Sequence, residues 1–185
     1  MKPYSITLLR KAIAHIRCGG VIAYPTESCY GLGCDPFNYK AIKSIINLKG
    51  RNPKKGLIVI ASRTSQLKNL VILPDNLNDV NRYWPGPYTL LLRKKHNNKI
   101  PHILHGKHVQ IAVRVSAHKL VCQLCNFLNI PLVSTSANYS GCKSAKNYAD
   151  CKRLFGNKVL VLPGRTSLAK RPSTIIDWES GRILR

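Results

Sequence analysis

Residues 11–38, KAIAHIRCGGVIAYPTESCYGLGCDPFN, pass from a helix-like spacing of apolar residues into the run Val21-Ile22-Ala23-Tyr24 and then into Pro25-Thr26-Glu27-Ser28. A short apolar run that ends at a proline reads as a buried strand, and the polar residues beyond it read as a loop at the strand's end. The same form recurs in AVRVSAH (112–118) and PLVSTSANYSG (131–141). Further strand-like runs lie at 57–61, 88–93, 109–115, 131–135, 159–162 and 173–178, and helical spacing appears at 5–17, 38–49, 65–71, 75–83, 117–128 and 147–155. Asn38 suits a helix cap, and Gly50 stops the helix that carries Ala41, Ile42, Ile45, Ile46 and Leu48 on one face. Strands alternating with helices predict an α/β fold: a twisted, open, mixed sheet covered by helices, with ligands held at the strand ends. The stretch Ser173 to Arg185, turning at Glu179-Ser180-Gly181, predicts an antiparallel hairpin.

The chain of 185 residues, 44% hydrophobic, fits a single domain spanning residues 1–185. No apolar run approaches the roughly 18 residues of a membrane span. Arg10, Lys11, His15 and Arg17 interrupt the N-terminal apolar residues, which argues against a secretory signal and for a cytoplasmic protein. Seven cysteines are an odd number, consistent with free thiols in a reducing compartment. Cys122 and Cys125 form a CxxC, but they lie in the apolar-periodic HKLVCQLCNFLN, where core packing is the better reading than zinc or redox chemistry. His102, His105 and His108 are evenly spaced in a segment broken by proline and glycine, so no metal site is expected there.

Charge is the most unusual feature of the composition. There are 30 Lys and Arg against 7 Asp and Glu, a net charge of +23, and no acidic residue occurs from Val80 to Ala149. Such a field draws in polyanions, whether nucleotide phosphates, tRNA or DNA, without regard to sequence.

Two segments carry candidate chemistry. Ser134, Thr135, Ser136 and Asn138 read either as a wall of donors and acceptors around a ligand or as a turn, which these residue types also favour. Lys49 and Arg51 straddle Gly50, offering a point charge and a planar fork to phosphate oxygens; the alternative is a helix C-terminus decorated with cations. Neither the KGRNPKKG stretch (49–56) nor GLGCDP (31–36) has the spacing of a phosphate loop or a dinucleotide fingerprint. A nucleotide would therefore be held by side chains from several loops.

Taken in order, PTESCYGLGCDP, LKGRNPKKGLIVIA, WPGPYTLLL, IAVRVSAH, PLVSTSANYSG and PSTIIDWESGRILR resemble the YrdC/TsaC family of L-threonylcarbamoyladenylate synthases, over roughly residues 5 to 185. The resemblance implies the short, single-domain bacterial form and an open sheet around a positively charged concave cavity. It implies condensation of L-threonine, bicarbonate and ATP into threonylcarbamoyl-AMP with release of pyrophosphate, for the threonylcarbamoyladenosine modification of tRNA by a downstream transferase. Carried over by motif, Lys49 and Arg51 hold phosphates and act in catalysis. Thr26, Arg114, Ser136 and Ser173 contact threonine, and Asn138, Lys146 and Arg185 join Lys49 and Arg51 on the nucleotide. Gly31 and Gly33 would let the backbone curl around the site, and Glu27 would either meet the substrate ammonium or tie down its loop, the second being favoured. No metal ligands are expected in the protein, Mg2+ arriving on the ATP phosphates. Some relatives have a histidine in the strand where this chain has Ile60.

The competing reading is a non-catalytic module binding double-stranded RNA or tRNA, or serving ribosome maturation, which the charge would suit equally well. Stacking recognition of single strands is disfavoured by 7% aromatics with no clustering. A metal-dependent sugar-phosphate enzyme is disfavoured by the shortage of acids.

Overall fold

The computed structural model describes residues 4–167, 169 and 171–185. In chain order the elements are α1 (Ile6–Arg17), β1 (Ile22–Pro25), β2 (Tyr30–Gly33), α2 (Tyr39–Lys49), β3 (Ile58–Ala61), α3 (Asn78–Asn81), β4 (Tyr88–Arg93), α4 (His102–His105), β5 (Gln110–Val115), α5 (Lys119–Leu128), β6 (Leu132–Ser136), α6 (Tyr148–Phe155), β7 (Leu160–Val161) and β8 (Thr174–Asp177). The strands form one sheet in the order β7-β1-β2-β6-β3-β5-β4-β8. Parallel pairing joins β1 to β7, β3 to β5 and β4 to β8, and the other neighbours run antiparallel. The expected mixed α/β sheet is present, and the tail folds back on β8 through an Ile176–Ile183 bridge.

Alternation along the strands divides the core in two. Ala23, Leu32, Val59 and Val133 pack into the larger apolar cluster with residues of α2 and α6, while Ile22, Tyr24, Ile60 and Leu132 pack with α1 and α5 on the opposite face. Each fully buried aliphatic side chain in these clusters contributes about 1.5–3 kcal/mol. Cys125 is wholly buried in the second cluster, as its apolar spacing predicts.

Helix α2 is bounded as its sequence suggests. The Asn38 side chain accepts from the Ala41 amide at 3.0 Å, and Gly50 ends the helix at φ 60°, in the left-handed region that favours glycine.

Three expectations need correction. The helical spacing at 65–71 yields only a 3-10 turn, Thr64–Leu67, because the Ile72 amide and the Leu70 carbonyl are drawn into hydrogen bonds with Arg93, at the end of β4, and Lys95, just past it. The pattern at 75–83 yields the single turn of α3. YGLG, read as a curling loop, is the strand β2, and neither Gly31 nor Gly33 has positive φ.

The glycines of β2 serve close approach instead of a bend. A methyl group at Gly33 would stand 2.6 Å from the Val133 carbonyl oxygen and 2.7 Å from the Tyr24 ring. Gly33→Ala is therefore expected to destabilise the protein by about 1–3 kcal/mol, read as a lowered urea midpoint; an unchanged midpoint would contradict this packing.

Candidate active site

Helices α1 and α5 cover only part of their face of the sheet, and the remainder floors a cavity of about 230 Å³. Register builds the floor: Gly31 lies opposite Ser136, Ser134 opposite Ile58, and Ile60 opposite Arg114, all of them lining residues. Ser134, Thr135 and Ser136 are strand residues of β6, which excludes the turn-only reading of this segment. The cavity thus extends over a sheet face, beyond the strand ends at which the sequence predicts ligands. A second, more apolar lobe of about 240 Å³, with Leu91, Ala112 and Ile175 in its lining, adjoins the first and shares Arg51, Ile58 and Arg185 with it.

Of the residues singled out from sequence, Thr26, Arg51, Arg114, Ser136, Lys146, Ser173 and Arg185 line the first lobe. Lys49 and Asn138 stand behind it. Lys49 is the last residue of α2 and is 3% exposed. Its ammonium donates to the Ser136 carbonyl, to the Asn138 carbonyl at 2.8 Å and to Asn138 Oδ1 at 3.0 Å. Asn138 Oδ1 also accepts from Ser136 Oγ at 2.6 Å, and its Nδ2 donates to the carbonyls of Tyr139 and Cys142 at 2.9 and 2.8 Å. The amide is thus saturated. Burial, and after it the nearby Arg51 charge, lowers the Lys49 pKa to about 8.

The other polar residues are held by uncharged partners, some within their own loop and some from distant parts of the chain. Thr26, just past β1, donates from both its amide and its hydroxyl to the Cys29 carbonyl, at 3.0 and 2.7 Å. Arg51 Nη2 donates to the Gly56 carbonyl at 2.9 Å, and its buried Nε has no partner among the described residues. Lys146 donates to the Ser28 carbonyl at 3.1 Å. Ser173 Oγ lies 2.8 Å from Thr89 Oγ1, and its carbonyl accepts from Arg185 Nε and Nη2 at 3.3 and 3.2 Å.

Arg114 is the exception in its bonding. Its Nε donates to the Gly86 carbonyl at 2.7 Å and its Nη2 pairs with Glu27 Oε1 at 2.8 Å. Glu27 Oε1 accepts in addition from Ser116 Oγ at 2.6 Å, so this carboxylate ties the loop after β1 to the end of β5.

Sequence reasoning did not select Ser28, Cys29, Ile58 or Ser144, which also line the first lobe. Ile58 was legible as a strand neighbour of Ile60 two residues away, whereas Ser144 lies in a loop with no pattern to mark it. Among the described residues no three His, Cys, Asp or Glu side chains are grouped to hold a metal ion.

The match to known proteins is extensive. A family model for Sua5, YciO and YrdC proteins, described as "Telomere recombination", matches residues 14–185. The threonylcarbamoyl-AMP synthase of Methylobacillus flagellatus is 49% identical over 178 residues, covering 95% of this chain and 98% of that protein. Its counterpart from Laribacter hongkongensis is 51% identical over 178 residues, covering 95% of each chain. Among solved structures, P. abyssi Sua5 complexed with L-threonine superposes with a TM-score of 0.86 at 32% identity over 96% of this chain; the chain spans about half of that protein, 53%. E. coli YciO shares the fold, with a TM-score of 0.84 at 24% identity over 97% of this chain and 88% of its own. With nearly its whole length matched, the chain belongs to the Sua5/YciO/YrdC family.

Proposed function

We propose that this protein is a threonylcarbamoyl-AMP synthase, condensing L-threonine, bicarbonate and ATP in the sheet-face cavity within one domain spanning residues 1–185. The observation that carries the reading is the convergence of Thr26, Arg51, Arg114, Ser136, Lys146, Ser173 and Arg185, from separate loops and strands, on one cavity. Two relatives sharing about half of the sequence bear that enzyme's name.

The chemistry requires an amine to take up CO2 as a carbamate, and a carbamate oxygen then to attack the α-phosphorus as pyrophosphate departs. Charge accumulates on the phosphate oxygens, so positioning and electrostatic stabilisation supply most of the acceleration. Arg114 offers the free edge of its guanidinium to the threonine carboxylate. Thr26 and Ser136 have committed their hydroxyl protons to Cys29 and Asn138, which leaves oxygen lone pairs to accept from the substrate amine or hydroxyl. Ser173 closes the amino-acid side. Arg51, Lys146 and Arg185, bonded only to neutral carbonyls and hydroxyls, keep full charge for the triphosphate and the leaving pyrophosphate. Lys49 adds a cation behind Ser136, and a phosphate oxygen reaching it would exchange with one of its carbonyl partners. Asn138 acts by shaping the wall that meets the nucleotide. Glu27, the carboxylate beside the lobe, is occupied by Arg114, so Mg2+ would be carried by the triphosphate.

The product would pass to a transferase that modifies tRNA in the cytoplasm. No helix among the described residues is long and apolar enough to cross a membrane. The net charge of +23 favours contact with tRNA or double-stranded RNA as a second property of the enzyme.

Pyrophosphate release from ATP should require both L-threonine and bicarbonate and no RNA. Release indifferent to threonine would overturn the reading. Arg51→Ala should lower kcat/KM for ATP by about 10²–10³-fold while leaving the unfolding midpoint in place. Lys49→Ala should lose activity too, but with about 1–3 kcal/mol of stability, because it strips buried carbonyls of their donor; urea titration separates the two variants. Lys49 is charged below its lowered pKa of about 8 and loses its proton above it, so kcat/KM for ATP should fall on an alkaline limb near pH 8. In kcat that limb should move to higher pH, since bound triphosphate stabilises the ammonium.

A further inference from the structure

The cations around the first lobe fall into two kinds. Arg51, Lys146 and Arg185 are bonded only to uncharged oxygens, as is Lys49 behind the wall, so among the described residues no carboxylate offsets their charge. Among the described residues lining this lobe, Arg114 alone is paired with a carboxylate, Glu27, at 2.8 Å. The pair is well shielded, with side-chain exposures of 11% and 14%, so water screens it little. Glu27 is itself held in place: Oε1 takes the 2.6 Å bond from Ser116 Oγ, Ser116 is fully buried, and the same hydroxyl accepts from the His118 amide at 3.0 Å. Glu27 Oε2 is buried and has no donor among the described residues, so Arg114 and Ser116 both meet the carboxylate at Oε1.

We propose that Glu27 is the residue that sorts the two anionic substrates, making the Arg114 end of the cavity accept a carboxylate and refuse a phosphate. The inference rests on the synthase reading, in which one end takes the amino acid and the other the triphosphate. An unpaired arginine attracts a phosphate dianion about twice as strongly as a carboxylate monoanion. Pairing with Glu27 cancels most of that attraction per unit of ligand charge. The heavier cost of stripping water from the dianion is then no longer offset, while a carboxylate still gains two directed N–H bonds from the guanidinium edge. Glu27 acts through Arg114 and touches neither reacting atom; Ser116 fixes its orientation. Specificity here comes from a repulsive element placed against the wrong ligand.

The test is the pattern of inhibition by inorganic phosphate, with nucleotide product followed by chromatography. In the wild type, phosphate should raise KM for ATP and leave KM for L-threonine unchanged. In Glu27→Gln, which keeps the side chain's shape, phosphate should compete with L-threonine, its inhibition constant against threonine falling about five- to tenfold, or roughly 1–1.4 kcal/mol. Ser116→Ala should shift in the same direction by a smaller factor, and it decides the matter if Glu27→Gln does not fold. A variant that folds, turns over and still meets phosphate only at the ATP site overturns the proposal, and a purely structural loss would alter both KM values without creating competition. Wild-type product formation that needs threonine and bicarbonate checks the underlying reading separately.

Discussion

The ammonium of Lys49 joins the end of α2 to the end of β6, and the wall of the cavity depends on that junction. Three oxygens from Ser136 and Asn138 converge on it, and the Lys49 carbonyl in turn accepts from the Ser140 amide at 2.8 Å. A buried lysine without a carboxylate is expensive in isolation. Here the cost is met by directed hydrogen bonds, and the lowered pKa records what remains of it. Because β6 lies between β2 and β3 in the sheet, fixing its end also fixes the positions of Ser134 and Ser136 over the cavity floor.

The cations lining the cavity differ in what backs them. Arg51, Lys146 and Arg185 are backed by neutral oxygens, whose dipoles hold the side chains in place without compensating their charge. Arg114 is backed by an ion pair, tied through Ser116 to the end of β5. In the synthase reading, two anionic substrates of different charge and shape would therefore meet two different electrostatic environments in one cavity. The apolar second lobe, floored by Leu91, Ala112 and Ile175, adds a surface on which a flat, weakly polar group can lose water at little cost.

Much of this was legible in the chain. The strand candidates from 21–24 to 173–178 all appear as strands, because short apolar runs bounded by Pro, Gly and polar clusters have few other uses. The cap at Asn38 and the stop at Gly50 follow from local chemistry alone. Thr26, Arg51 and Arg114 were recognisable because each sits beside a strand or helix end within an ordered motif. β2 was missed because two of its four residues are glycines, which local propensity assigns to turns; only the closeness of Val133 and Tyr24 explains why no side chain is allowed there. The failed helix at 65–71 has a similar cause, since pairing with residues at and just past the end of β4 overrode an apolar spacing.

By itself the sequence determined the fold class, the family and most of the cationic and hydroxyl residues that line the cavity, since periodicity, caps and ordered motifs are properties of neighbours along the chain. Tertiary structure decided which cations face the cavity with full charge. Arg51 and Arg114 look alike in sequence, yet one is bonded to a carbonyl five residues away and the other to a carboxylate 87 positions distant. Charge compensation acts over a few ångströms of space, and the fold alone brings Glu27 within that distance of Arg114.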